Sequence, residues 1–164
     1  MSFHMQAAMQ RNEIQAMQIN PVSLEEAREQ AAESLGLMKS VYVKAANSDE
    51  QFEIPNPSML DDEQQARYDQ MQLDIENLDR APDVTDNDGN VIRRGDILEP
   101  YRKDGKLVDS HGVMLAKAIF GDAGYKKFKA AGGRSSDVTL VWWQMNAALA
   151  KKRREDPKSN EGDS

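Results

Sequence analysis

The chain has 164 residues, no cysteine, and 21 Lys and Arg against 28 Asp and Glu, for a formal net charge of −7. That length suits one modest domain with tails. The missing thiols exclude disulfide frameworks, thiolate metal sites and cysteine nucleophiles, and the acidity disfavours nucleic acid as the main partner. Hydrophobic residues make up 39% of the chain. This is enough for a core of about 100 residues but low for the whole length, so parts of the chain are expected to be extended.

No apolar run approaches the roughly 20 residues needed to span a bilayer. The opening MSFHMQAAMQRNE lacks the basic start and apolar centre of a signal peptide. A soluble, intracellular protein without membrane association is expected. The charge is unevenly spread: residues 1–100 hold 8 basic and 20 acidic side chains, and residues 101–154 hold 12 and 4. Such halves attract within a chain or between copies, or they are simply two solvated faces.

In chain order, residues 1–22 read as a frayed helical or disordered arm, with Met5, Met9, Ile14 and Met17 in loose helical spacing. Ser23 followed by Glu26 reads as a capping box. Leu24, Ala27, Ala31, Leu35, Met38, Tyr42 and Ala45 recur every three or four residues, which predicts one helix over 24–46. Gly36 weakens its middle by about 1 kcal/mol. Pro55 and Pro57 interrupt the chain in FEIPNPS. Ser58 is then expected to cap a second helix, with Asp61, Asp62 and Glu63 in its first turn and an apolar face running to about Arg80.

Residues 81–109 change character. VTDNDGNVI and YRKDGKLV each place Asp-Gly between short segments, which predicts two small hairpins or an ordered loop. Ser110 or His111 opens a third helix that stops near Gly121. Asp122 caps a short helix through Lys129 that carries Tyr125 and Phe128, and Gly132 and Gly133 end it. Ser135 or Ser136 caps a last helix, about Asp137 to Glu155, with Val138, Val141, Trp142, Met145 and Leu149 as its stripe. Lys151 to Arg154 sit where the helix dipole favours cations. Residues 156–164 are expected to be a disordered tail. The fold class is therefore mainly α, a helical domain over 23–155 of about four to five helices with a short hairpin or loop between 81 and 109.

Chemical motifs are sparse. With Gly89 as the invariant glycine of a calcium loop, Val84 and Gly95 would fall at ligand positions, so DNDGN reads as a turn. His4 and His111 lack partners at metal-ligand spacing. There is no Walker loop and no GxSxG elbow. No catalytic residue, cofactor or metal is expected. Trp142 and Trp143 differ by about 100° around a helix, so one is expected in the core and the other as an interface anchor. Both could equally belong to the core.

Several stretches together resemble one family. FEIPNPSMLDDEQQARYDQMQ, and the later ILEPYRKDGKLVDSHGVMLAKAIFGDAGYKKFKAAGGRSSDVTLVWWQMNAALAKKRREDPKS, are similar to two blocks of tail assembly chaperones of long-tailed, siphovirus-type actinobacterial phages. The likeness covers roughly residues 52–80 and 96–159 and rests on the joint order of IPNP, LDDEQQ, a proline-tyrosine turn, FGDAGY-x-x-F-x-A-A-G-G and W-x-x-M. The resemblance implies a non-structural phage factor, present in the host cell cytoplasm and absent from the mature virion. It implies the short form of a frameshifted pair that binds the tape measure protein, keeps it soluble and helps recruit tail tube protein, with a frameshift-extended form of itself as a further partner. Nine methionines suit an adaptable holdase surface. Trp142, Trp143, Met145, Tyr125 and Phe128 are the expected partner-binding residues, and head-to-tail self-association between the charged halves is a further expectation. A structural virion component of the tail or head–tail connector, or a nucleic-acid-binding regulator, are the rival readings.

Overall fold

The computed structural model describes residues 21–155. The expectations for residues 1–20 and for the tail 156–164 fall outside them. The chain divides into two compact units, one ending at Lys39 and the other starting at Ser40, where the sequence groups 23–155 as one domain.

In the first unit, helix α1 spans Leu24–Ser34. The Ser23 hydroxyl accepts from the Glu26 amide at 3.1 Å, as the cap pattern requires. The helix stops well short of residue 46. Gly36 takes a φ of 67°, while its amide donates to the Glu33 carbonyl at 3.0 Å and the Leu37 amide to that of Ala32 at 2.7 Å. This pair of bonds is the Schellman closure, in which a glycine takes up the left-handed turn without steric cost. Gly36 is thus the stop signal and not a weak point in a longer helix.

The second unit opens with a strand pair whose first strand replaces the end of the helix expected over 24–46. β1 (Ser40–Lys44) and β2 (Gln51–Pro55) run antiparallel, with Val41 opposite Ile54 and Val43 opposite Phe52. Val41, Val43, Phe52 and Ile54 share the inner face, as period-two alternation demands. On the outer face the Tyr42 hydroxyl donates to Glu53 at 2.8 Å. The Ala46 amide ties the hairpin to the Ala131 carbonyl at 3.0 Å.

Helix α2 spans Asp62–Glu76, and its cap is Asp61 rather than Ser58. Asp61 accepts from the Gln64 amide at 2.7 Å, and Gln64 accepts in return from the Asp61 amide at 3.0 Å, which completes a capping box. Ser58 is engaged elsewhere. Its amide and hydroxyl both donate to the side chain of the buried Asn56, at 3.0 and 2.7 Å, and so build the IPNPS turn.

Two short hairpins follow, as Asp-Gly predicts: β3 (Val84–Thr85) with β4 (Val91–Arg93), and β5 (Arg102–Lys103) with β6 (Lys106–Leu107). Helix α3 covers His111–Ala130 but breaks at Gly121, whose φ of 73° and ψ of 168° are not helical. The break leaves carbonyls without intrahelical donors. Side chains from α2 satisfy two of them: Arg67 donates to the Ala118 carbonyl at 2.8 Å, and Gln64 to that of Ile119 at 3.1 Å. Ala131 caps the end, followed by Gly132 and Gly133, whose amides reach back to Lys129 and Phe128. Helix α4 spans Ser135–Glu155.

The described residues are mainly α, with four helices, about 50% helix, and small antiparallel strand pairs. The core lies where α2, α3, α4 and β2 meet, around Ile54, Met71, Leu115, Ile119, Val138 and Met145. Phe52, Phe120 and Phe128 form an aromatic group with centroids 5.0 to 6.1 Å apart. The two edge-to-face contacts that Phe52 makes in this group each add about 0.5–1.5 kcal/mol beyond area burial.

Candidate functional site

Helix α4 decides the fate of the two tryptophans. Val138, Trp142 and Met145 lie on the face turned to α2 and α3, and Trp142 is 5% exposed with its ring 5.7 Å from Tyr68. Trp143, about 100° further round the helix, is 59% exposed. Of the five residues expected at a partner surface, Trp143 alone is available. Trp142, Met145, Tyr125 and Phe128 are buried and build the core, so the expectation that they meet a partner is corrected. Helical spacing could not tell a core-facing aromatic from an outward one.

Trp143 closes one wall of an open groove of about 770 Å³. The opposite wall is the β5–β6 hairpin, with Tyr101, Leu107 and Val108, and the floor carries His111, Gly112 and Thr139. Leu107 is 74% exposed. Large apolar side chains left in water at one place mark an interaction site more often than scattered ones do.

The hairpin wall is held by Asp79. Its carboxylate accepts from the Gly105 amide at 2.8 Å and the Asp104 amide at 3.0 Å. These two bonds hold the Asp79 carboxyl below its ordinary value of 3.8, with Lys103 and Arg102 adding to the effect. Asp104 and Gly105 take φ of 51° and 77°, the geometry of a tight hairpin turn. The Asp79 amide donates to the Arg102 carbonyl at 2.9 Å, and the Lys103 ammonium donates to that of Asn77 at 2.6 Å. The end of α2 thereby fixes the hairpin that faces Trp143. Tyr101 and Leu107 were missed as site residues. The signal for them was the proline-tyrosine turn and a leucine just after Asp-Gly with no apolar neighbour in its short strand.

A charged cleft of about 450 Å³ lies between α2 and α3, beside Arg67, Asp74, Asp109, Lys117 and Asp122. Its groups are largely spoken for. Lys117 bonds Asp109 at 2.7 Å, which raises the lysine's proton affinity. Asp74 accepts from Gln70 at 2.9 Å, and Arg67 serves α3. The DNDGN turn is likewise self-contained: Asp86 accepts from the amides of Asp88 and Asn90, each at 2.9 Å, and the Asn90 bond leads in holding its carboxyl below the ordinary value. Among the described residues, no three His, Asp or Glu side chains converge on a point fit for a metal ion, and no helix is long and apolar enough to cross a membrane.

No family model matches the chain, and no significant match appears among curated proteins or solved structures.

Proposed function

We propose that this chain is a phage tail assembly chaperone of the short form. It binds helical segments of the tape measure protein in the host cytoplasm, keeps that long chain soluble and assists tail tube assembly without entering the particle. The support is the two-block resemblance together with one structural observation, the open groove between Trp143 and the β5–β6 hairpin. An amphipathic helix recognises such a groove by laying bulky apolar side chains into it. Trp143 supplies a rigid aromatic anchor of the type that dominates binding energy, and Leu107 and Tyr101 supply the facing wall.

Co-expression with the tape measure protein of the same genome tests this reading. The expected result is client that is soluble only in the presence of this chain and that elutes with it, with loss of the complex in Leu107→Asp. A client whose solubility is indifferent to the chain overturns it. Mass spectrometry of purified particles separates the proposal from a structural virion component, since a chaperone should be missing from them.

A further inference from the structure

Helix α4 is apolar on two opposite sides. One carries Val138, Trp142 and Met145 into the core. The other carries Leu140, Trp143, Ala147 and Ala150, spaced three, four and three residues apart, all exposed. Leu140 is 62% exposed. The spacing is that of a coiled-coil seam, and nothing in the described chain covers it.

The seam has an internal symmetry. Leu140 and Ala150 are equidistant in sequence from Met145, and so are Trp143 and Ala147. We infer that a second copy of this chain docks on the outer face of α4, the two helices running antiparallel about a two-fold axis at the level of Met145. In that pairing each large side chain meets a small one: Leu140 faces the partner's Ala150, and Trp143 faces the partner's Ala147. Two-fold contacts are isologous, so each match is made twice. The flanks agree. Asp137 lies on the same flank as Lys151 and comes within two residues, about 3 Å of helical rise, of the level of the partner's Lys151, so opposite charges frame the seam on that flank.

A parallel pairing fails on both counts. It sets Trp143 against Trp143 and leaves the alanines facing each other across a void. It also sets the cations Lys151 to Arg154 against themselves. A foreign amphipathic helix would satisfy the apolar seam but has no reason to match the large-small order about Met145. The seam is short, so the dimer dissociates on dilution. This inference does not rest on the chaperone reading.

Sedimentation of the full chain over a concentration series, with single-cysteine cross-linking, tests it. The cysteine-free sequence makes any introduced thiol unique. Asn146 flanks the seam near the axis and lies nearer its own copy in the antiparallel register than in a parallel one, whereas Ser136 at the helix start lies about 27 Å along the axis from its copy. The expected results are a mass that climbs from one chain towards two, an Ala147→Glu variant that keeps its circular dichroism but stays at one chain, and a covalent dimer from Asn146→Cys with a short bis-maleimide but not from Ser136→Cys. A wild-type mass fixed at one chain, an Ala147→Glu variant that still dimerises, or any other cross-linking pattern overturns the inference.

Discussion

Replacing Trp142 by alanine removes a ring that is 5% exposed and packed 5.7 Å from Tyr68. The expected cost is about 3–5 kcal/mol, in the range of large-to-small aromatic substitutions in a core. Trp143→Ala deletes a side chain that is mostly in water, so stability should change by no more than about 0.5 kcal/mol. Denaturant melts of the two variants check this directly, and similar losses in both would mean that the outer tryptophan is packed after all. A second residue-scale expectation concerns Asp79. Its carboxyl is held below 3.8 when folded, so its contribution is complete above that value and is lost as pH falls through the lower, folded one. Acid below the ordinary carboxylate range should therefore loosen the β5–β6 turn, visible as lost exchange protection at the Asp104 and Gly105 amides. Asp79→Asn should show the loosened turn already at neutral pH.

Elements show where local sequence patterns suffice and where they mislead. The apolar spacing of Leu24, Ala27, Ala31 and Leu35 continues through Met38, Tyr42 and Ala45, and that continuity argued for one helix. Two physical facts overrule it. Gly36 closes the helix by a Schellman turn, and the β-branched Val41 and Val43 face Ile54 and Phe52 across a hairpin. Residues 38–45 satisfy both periods, so only the distant partner strand decides between them. The Asp-Gly hairpins, the break at Gly121 and the last helix were legible because each rests on local backbone chemistry. Partnership across the sequence was not. That Arg67 and Gln64 reach carbonyls opened by the Gly121 break joins residues more than fifty apart. Arg67→Ala leaves the Ala118 carbonyl without this donor and should cost about 1–3 kcal/mol. A thermal melt checks it. Arg67→Lys should recover only part of the loss, because the guanidinium reaches two carbonyls, at 2.8 and 3.3 Å.

On the scale of the whole molecule, the groove and the seam meet at one side chain. Trp143 walls the groove against Leu107 and also sits in the seam between Leu140 and Ala147. A client helix in the groove and a second copy on α4 therefore draw on the same ring, and one excludes the other. If both the chaperone reading and the dimer hold, the dimer is a resting form that shields the exposed tryptophan until a client arrives. Adding a tape measure fragment should then convert dimer to a one-to-one complex, and the apparent client affinity should fall as chaperone concentration rises. Two variants separate the parts. Leu107→Asp alters only the groove, so it should lose the client and keep the dimer. Ala147→Glu alters only the seam, so it should lose the dimer and bind client at least as tightly as the wild type. Raising the salt should weaken the dimer through its Asp137–Lys151 flanks, yet leave the largely apolar groove less affected. Sedimentation with a labelled client fragment reads all of these together. A ternary species with two chaperone chains and an intact α4 contact would show that Trp143 is not shared, and would place the client elsewhere on the chain.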